Sequence, residues 1–334
     1  MRSELNDAHD LILAVDGGQT STKAIIARRD GTILGTGRGT PCDHVHGPDG
    51  IRKNREAIHS AANAALLDAG VPADRILGVG LGLTSAPREA EATPIFRGIV
   101  DELCTPDAFW VDTDFVSNLA GAAAGGTGIV VIAGGGSIGY GIDEHGHEAV
   151  AGGLGYLMGD DGSGWYFGMR ALQEAARAYD KRGPMTALLP FVLAHYDLTQ
   201  IRDIIRIIYA DGFTRERIAT IATDVIRIAE EGDPVAAEIV AEGARRLGET
   251  ALGVARQLHA AGDPVRVYPT GGIFDAGEII LTPFAEEIRA GWPAATIETP
   301  RFPPVVGALI AVWKTLGDEI DETRLANITR SLSR

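Results

Sequence analysis

The feature that most constrains the fold is a recurring unit made of a strand, a glycine turn and a second strand. Residues 11–27 contain an apolar run, a DGG turn and a second apolar run. Residues 128–142 repeat this order around a GGGS turn. Two copies of one such unit in one chain indicate duplicated domains. We therefore expect two similar halves that face each other.

Between and after these units, strand-like and helix-like segments are mixed along the chain. Such a mixture predicts an α/β protein with two domains. Short apolar runs predict strands at 76–83, 108–111, 265–268 and 295–299. A 3.6-residue periodicity or a small-residue composition predicts helices at 51–69, 94–103, 115–125, 278–290 and 305–316. The stretch 163–261 is expected to be mainly helical, and the segment beyond 317 is expected to be a polar tail.

The charge excludes two classes of partner. Lysine and arginine total 30 and aspartate and glutamate total 45, so the formal net charge is −15. An acidic chain without a basic run is poorly suited to bind a nucleic-acid backbone. The same lack of a basic cluster argues against binding to an anionic membrane surface.

Other global features point to a cytoplasmic protein. The N-terminal segment lacks the apolar stretch of a signal peptide. No run approaches the roughly 20 apolar residues that a membrane helix needs. Two cysteines, Cys42 and Cys104, cannot build a disulfide framework, which is consistent with a reducing compartment.

Three glycine turns, each after an apolar strand, are candidate phosphate-binding loops: 16–20, 134–137 and 270–272. Glycine allows close approach of the backbone to a phosphate, and consecutive N–H groups bind anions. A single such turn is equally well explained by a hairpin that needs positive φ. Asp16 precedes the first turn, and a carboxylate beside bound phosphate suits Mg²⁺, although Asp-Gly is also a common turn pair.

Carboxylates elsewhere suggest acid–base chemistry and ligand binding. Asp112 and Asp114 follow a predicted strand; one is a candidate general base and the other a turn or N-cap residue. Asp160 and Asp161 lie in a glycine-dense stretch that we interpret as a loop for a polar ligand. Either Asp161 or Ser163 is expected to cap the following helix.

Two His-containing segments have alternative explanations. The HGHE sequence at 145–148 has no third metal ligand signalled nearby, so a solvated turn is favoured over a metal site. Cys42 lies near His44 and His46, where a Cys/His nucleophile and a substrate-facing loop are equally compatible with the sequence.

The motifs VDGGQTSTKAII, AGGGSIGYG, TGGIF and GGLGYLMGDDGSGWYFG together resemble the actin/hexokinase/Hsp70-like ATPases. In particular they resemble the BadF/BadG/BcrA/BcrD ATPase family, which includes N-acetylglucosamine kinases and glucosamine kinases. The resemblance extends over about residues 11–316. It implies an α/β fold of two ribonuclease-H-like lobes around a nucleotide cleft, with lobe 1–122 completed by a C-terminal helix at 303–317 and lobe 123–302 carrying a helical insertion.

The resemblance also implies a ligand set of ATP and Mg²⁺, with a sugar as the substrate. Asp114 matches the general base for the sugar 6-hydroxyl. The matched nucleotide-binding positions are Asp16 (also the metal position), Gly17, Gly18, Thr20 and Lys23 in the first loop, Gly135, Gly136 and Ser137 in the second, and Gly271 and Gly272 beside the adenosine; the matched sugar-binding positions are Gly153, Leu154, Gly155 and Asp160, together with Asp114.

Departures from the family pattern concern recognition of the sugar. Gly135 stands where the kinases usually have threonine, Ile138 where N-acetylglucosamine kinase has asparagine, and Leu154 where it has tryptophan. Asp43 lies where a clear asparagine is missing, and its carboxylate suits a free 2-amino group. The sugar is therefore expected to be an amino sugar of the N-acetylglucosamine or glucosamine class.

Three functions share this fold. The first is an ATP-dependent sugar kinase. The second is an ATPase that activates an iron–sulfur dehydratase or reductase, for which each subunit would need two suitably placed cysteines. The third is a sensor that binds sugar or nucleotide. By analogy with relatives, which are often dimers, the helical segment 163–261 is a candidate homodimer interface.

Overall fold

A computed structural model of the chain describes residues 10–84, 86, 92–210 and 214–333. Contacts divide the chain into unit 1, which extends to Thr127 and resumes at Thr299, and unit 2, Gly128–Glu298. The domain boundaries expected from the sequence, at 122/123 and 302/303, stay a prediction.

Each unit is built on a mixed sheet, and the two sheets have equivalent strand orders within the described residues. The first sheet has the order β3-β2-β1-β4-β5 and the second has the order β8-β7-β6-β9-β10. In both, the first three strands pair antiparallel and the last two run parallel to the first. The strands are β1 (Leu11–Gly17), β2 (Thr22–Arg28), β3 (Ile33–Gly39), β4 (Ile76–Leu83), β5 (Ala108–Asp112), β6 (Gly128–Ala133), β7 (Ser137–Ile142), β8 (Glu148–Gly152), β9 (Val265–Thr270) and β10 (Ala295–Ile297).

Helices follow or cover these strands. The helices are α1 (Gly50–Ala69), α2 (Ala92–Asp101), α3 (Asp114–Ala122), α4 (Gly164–Tyr179), α5 (Leu188–His195), α6 (Ile205–Ile208), α7 (Arg215–Ala219), α8 (Ala222–Glu230), α9 (Pro234–Leu258), α10 (Glu278–Gly291), α11 (Pro304–Thr315) and α12 (Glu322–Leu332). This topology is ribonuclease-H-like in both units, which confirms the predicted α/β fold with a duplicated core.

Alternation along β1 determines which side chains point to each face of the first sheet. Leu11, Leu13 and Val15 pack into the core formed with α1 and α2. Ile12 and Ala14 pack into a second core with α11. Side chains alternate between the faces of a strand, so Asp16, which follows Val15, lies on the same face as Ile12 and Ala14. This is the side of the sheet where α3 and α11 lie.

Helix α12 is the main element that the sequence does not predict, since the segment beyond 317 is expected only to be a polar tail. The side chain of Asp321 caps the start of this helix by accepting a hydrogen bond from the Arg324 N–H at 2.8 Å. Leu325 and Ile328 are buried in the core that contains α11. Two apolar residues on one face are enough to dock a helix that is otherwise polar.

In the described part of the chain, no helix combines the length and the apolar character needed to cross a membrane.

Candidate active site

The first glycine turn joins β1 to β2 in unit 1. The Gly18 N–H donates to the Ser21 carbonyl oxygen at 3.1 Å and closes the turn. Neither Gly17 nor Gly18 has a positive φ. A Cβ on Gly17 would lie 2.5 Å from Cys42 Sγ and from Leu83 Cδ2. Glycine is therefore required at Gly17 by close packing, and the alternative of a turn that needs positive φ does not apply.

Asp16 and Asp114 form the main electrostatic feature of unit 1. Burial, and after it the negative charge of Asp114, raise the pKa of Asp16 to about 7, while Lys23, its cross-strand neighbour, lowers that pKa. Burial also raises the pKa of Asp114 to about 6, against hydrogen bonds from Thr84 and from backbone N–H groups that lower it. Two mutually repelling carboxylates with raised pKa values are typical of a functional site.

Asp112 and Asp114 differ in role. The Asp112 carboxylate accepts the Thr113 N–H at 2.7 Å, so Asp112 is a turn residue at the end of β5. Asp114 is the first residue of α3, whose N-cap is Thr113. The charge of Asp114 contributes to the raised pKa of Asp16, which makes Asp114 the better candidate for the general base.

Cys42 lies beneath the first glycine turn. Its N–H donates to the Gly18 carbonyl oxygen at 3.0 Å, and its Sγ is 3.4 Å from Thr22 Oγ1. Burial raises the pKa of the Cys42 thiol to about 11. A buried thiol that stays protonated at neutral pH is a packing residue, and the alternative of a Cys/His nucleophile loses its chemical basis.

Asp43 already has a cationic partner. Lys53 Nζ lies 2.5 Å from Asp43 Oδ2, and the His44 N–H donates to Oδ1 at 2.8 Å. The hydrogen bonds from Lys53 and then from His44 lower the pKa of Asp43. Because Lys53 neutralises this carboxylate, the attraction of Asp43 for the amine of a sugar is weaker than the sequence suggested.

Two further predicted nucleotide-binding residues lie in and after the first glycine turn. Thr20 and Lys23 are both exposed.

The second glycine turn joins β6 to β7 in unit 2, and the start of α4 holds its carbonyl groups. The Gly164 N–H donates to the Gly134 oxygen at 2.7 Å, and the Trp165 N–H donates to the Gly135 oxygen at 3.3 Å. A Cβ added to Gly134 or Gly135 would meet no atom of the described residues within 4 Å, and neither residue has a positive φ. Packing within the described part of the chain therefore does not explain these two glycines.

Asp160 connects this turn to the rest of unit 2. Its Oδ1 accepts the Ser137 N–H at 3.1 Å and its Oδ2 accepts from Arg215 Nη1 at 3.1 Å. The residue is 4% exposed and adopts a left-handed φ of 59°. A Cβ on Gly136 would lie 2.8 Å from Asp160 Oδ1, so glycine there admits the carboxylate.

Arg215 is the residue of this site that sequence reasoning missed. It belongs to the helical segment, 55 positions beyond Asp160, and no motif marks it. A lone arginine in a helical stretch carries no signal that could have identified it.

The glycine-rich loop 152–159, called the substrate loop after the role predicted for it from the sequence, is tied to the same turn. The Gly153 N–H donates to the Ser137 carbonyl oxygen at 3.1 Å, and Gly153 and Gly155 both have positive φ. Leu154, between these two glycines, is 65% exposed. The loop therefore presents this side chain to solvent while its first residues are anchored to the second turn.

The cap of the following helix is also defined. Ser163 caps α4, because its side-chain oxygen accepts the Tyr166 N–H. Of the two residues expected for this task, Asp161 and Ser163, the serine performs it.

The third glycine turn packs on the end of β6. Gly271 has a φ of 96°, and an added Cβ would overlap the backbone of Ala133. The Ile273 N–H donates to the Ala133 oxygen at 3.1 Å. This turn therefore lies beside the second one, and at Gly271 positive φ is sufficient to explain the glycine. A Cβ added to the next residue, Gly272, would meet only one atom of the described residues within 4 Å, Asp275 Oδ2 at 3.9 Å.

Metal ligands are sparse in the described residues, where no group of three or more His, Cys, Asp and Glu could hold an ion. Mg²⁺ binds through one or two carboxylates together with substrate phosphates, and the buried carboxylate of Asp16 has the chemistry that this ion requires. In the HGHE segment the histidines contact Asp143. His147 Nδ1 lies 2.8 Å from Asp143 Oδ2, and the same carboxylate accepts the backbone N–H groups of His145 and His147.

The site residues thus fall into two groups. Unit 1 brings together Asp16, Gly17 and Gly18 at the carboxyl end of β1, Lys23 at the start of β2, and Asp114 just after β5. The second group, in unit 2, comprises Gly135, Gly136, Ser137, Gly153, Gly155, Asp160, Gly271 and Gly272. Duplicated ribonuclease-H-like units that carry glycine turns after their first strands define the actin-like class of ATPase fold.

Comparison with known proteins identifies the family. Residues 13–312 match the model of the BadF/BadG/BcrA/BcrD ATPase family, so the chain belongs to that family.

Individual relatives extend over almost the whole chain. An N-acetylmuramic acid/N-acetylglucosamine kinase from Clostridium acetobutylicum is 27% identical over 304 residues, covering 90% of this chain and 97% of the relative. An N-acetyl-D-glucosamine kinase from Dictyostelium discoideum is 25% identical, with coverage of 90% and 97%. Among solved structures, a Chromobacterium violaceum protein provisionally assigned as an N-acetylglucosamine kinase has a TM-score of 0.73 and 27% identity, covering 91% of this chain and 99% of its own.

Proposed function

We propose that the protein is an ATP-dependent kinase that phosphorylates the 6-hydroxyl of an amino sugar of the N-acetylglucosamine class. The family is one of ATPases, and the relatives that match almost the whole chain are named as kinases of N-acetylated amino sugars. The observation that carries the proposal is the pair of carboxylates, Asp16 and Asp114, beside the first glycine turn.

The two carboxylates suit two different tasks. Asp114, whose pKa is raised to about 6, is largely ionised at neutral pH and yet basic enough to accept a hydroxyl proton. It would orient the sugar hydroxyl and accept its proton as the phosphoryl group is transferred. Asp16 would hold Mg²⁺ directly or through water; when bound, Mg²⁺ neutralises charge on the phosphates.

The glycine turns suit the phosphates. Gly134 and Gly135 are not required by packing among the described residues, whereas backbone that approaches a phosphate closely must lack side chains. Their carbonyl groups are held by the first turn of α4, which fixes the turn before any ligand arrives. Preorganised backbone N–H groups stabilise negative charge on a transferring phosphoryl group. The Gly134 N–H already donates to the Gly136 oxygen at 2.9 Å, so the N–H groups of Gly135 and Gly136 would take this role. Gly271 and Gly272 would lie by the adenosine.

The sugar would be held by Asp160 and the substrate loop. Among the described residues, each oxygen of the buried Asp160 carboxylate has one partner, which leaves further lone pairs for sugar hydroxyls. The ion pair of Asp43 with Lys53 favours an N-acetylated sugar over one with a free amine, because the carboxylate is already neutralised. Recognition of the acetamido group despite Leu154 and Ile138 is part of this proposal.

The alternative of an activator with an iron–sulfur cluster is disfavoured. Both cysteines are buried among the apolar side chains of the core formed with α1 and α2. Cluster ligands must be thiolates that reach the iron. The homodimer through 163–261 and the cytoplasmic location stay predictions.

The test is sugar-dependent release of ADP. With Mg·ATP, we expect N-acetylglucosamine to give turnover well above the rate without sugar. Asp114→Asn should lower kcat by about 10²–10⁴-fold with folding unchanged. Asp112→Asn is the matched control, two residues away with a carboxylate that serves the turn, and should keep most of the activity. Equal rates for Asp114→Asn and Asp112→Asn would refute the assignment of Asp114.

A further inference from the structure

Arg215 makes two contacts with the segment that would hold the sugar. Its Nη1 lies 3.1 Å from Asp160 Oδ2, and its guanidinium carbon lies 5.9 Å from the ring centre of Tyr156 in the substrate loop. The Tyr156 ring in turn packs edge-on against Trp165, with ring centres 4.8 Å apart. One side chain therefore contacts both the substrate loop and the residue that follows it.

From this geometry we propose that Arg215 is a positioning residue for the sugar: it fixes the carboxylate of Asp160 and the substrate loop in the arrangement that binds substrate. The inference rests on the proposed function. It assigns a role in sugar recognition to α7, in addition to the anchoring of the second glycine turn by α4.

The physical need for such a partner follows from the surroundings of Asp160. A carboxylate with a side chain 5% exposed has lost most of its hydration and needs a cation or several hydrogen bonds in place of water. The described contacts supply one backbone N–H, from Ser137, and the guanidinium of Arg215. Without Arg215, the carboxylate would lose the guanidinium that holds Oδ2 and could rotate away, which removes acceptor positions from the sugar.

The position of Arg215 is itself fixed by packing. It is the first residue of α7, and the backbone of this helix lies directly against α4. A Cβ on Gly168 of α4 would overlap the Ile218 oxygen, and one on Gly164 would lie 3.0 Å from the Ala219 oxygen. Because α4 also begins beside the second glycine turn, the guanidinium is anchored to the same part of unit 2 as the turn itself.

The effect on the sugar should be separable from the effect on the nucleotide. The second glycine turn has further anchors in the N–H groups of Gly164 and Trp165, which do not involve Arg215. Loss of Arg215 is therefore expected to weaken sugar binding much more than ATP binding. A merely structural role would instead lower thermal stability and affect both substrates together.

The experiment measures KM for N-acetylglucosamine and for ATP in Arg215→Ala, Arg215→Lys and the control Arg217→Ala on the same helix. For Arg215→Ala we expect the sugar KM to rise by about tenfold or more and the ATP KM to change by less than about threefold. Arg215→Lys should have a sugar KM between those of wild type and Arg215→Ala, because lysine keeps the positive charge but not the planar guanidinium. Arg217→Ala should stay within about twofold of wild type. In an Asp160→Asn background, Arg215→Ala should add little, since the two residues act as one unit.

The possible outcomes are distinct. A sugar KM within about twofold of wild type in Arg215→Ala overturns the inference, as does a parallel rise of both KM values with no recovery in Arg215→Lys. If the wild-type protein shows no sugar-dependent turnover, the proposed function fails and this inference fails with it. Turnover in wild type with an unchanged KM in Arg215→Ala overturns the inference alone.

Discussion

Replacing Asp16 with asparagine is expected to stabilise the folded chain while removing its activity. Asp16 has a pKa raised from 3.8 to about 7, so the folded state disfavours its ionised form. At about 1.4 kcal/mol per pKa unit, this shift corresponds to an upper limit of about 4 kcal/mol at pH 8. Relaxation and water penetration reduce the figure, and we expect about 2 kcal/mol.

The sign and the pH window follow from the direction of the shift. A carboxyl group with a raised folded-state pKa binds more protons in the folded than in the unfolded state between 3.8 and about 7. The contribution of Asp16 to wild-type stability therefore falls as pH rises through this window. Asparagine does not titrate, so the gain in folding stability of Asp16→Asn over wild type should be full at pH 8 and close to zero at pH 4.

The assay is thermal unfolding of both proteins in EDTA, without nucleotide, at pH 4, 6 and 8. At about 2.1 cal/mol/K of unfolding entropy per residue, about 2 kcal/mol corresponds to a Tm increase of roughly 3 °C if all 334 residues unfold together. Asp112→Asn is the control, because its carboxylate accepts a backbone N–H and its loss should not stabilise the protein. An unchanged or lower Tm for Asp16→Asn at pH 8 would show that Asp16 does not destabilise the fold.

The remaining expectations concern pH, ligands, glycines and thiols. The kcat/KM of wild type should rise with pH with a midpoint near 6, because the ionised form of Asp114 is the active one; a pH profile that falls over this range contradicts that role. Addition of Mg·ADP should raise the Tm of wild type but not that of Asp16→Asn, since ligand binding stabilises only the form that binds it. Gly136→Ala should lower activity and stability by crowding Asp160, whereas Gly134→Ala should leave stability unchanged, as checked by thermal unfolding and ADP release. In native protein, a thiol reagent should modify neither cysteine, and after unfolding it should modify both; rapid labelling of Cys42 in the native state would contradict its burial.

Much of the fold is predictable from the sequence because its signals are local. Each glycine turn interrupts an apolar run at the place where a strand ends, and strands such as β4 and β6 have the bounds that their apolar runs indicate. Helix α12 is not predictable in this way, because a helix with two buried positions has almost no periodic signal. Its order depends on contacts with α11, which lie outside its own sequence.

The candidate site is predictable only in part, for a similar reason. Asp16 and the glycine turns belong to continuous motifs, so their neighbours along the chain identify them. The partners of Asp43 and Asp160 do not: Lys53 lies ten positions further on, in α1, and Arg215 is in another part of the chain. Pairing of charges depends on tertiary structure, and it changes the chemistry expected of both carboxylates.

The most direct test of the proposed function is ADP release from Mg·ATP with N-acetylglucosamine, glucosamine, N-acetylmannosamine, glucose and N-acetylmuramic acid as acceptors. A kinase of the proposed kind gives strong turnover that depends on an N-acetylated amino sugar, and Asp114→Asn abolishes it. Slow ATP hydrolysis that is the same with every sugar and without sugar would contradict the proposal.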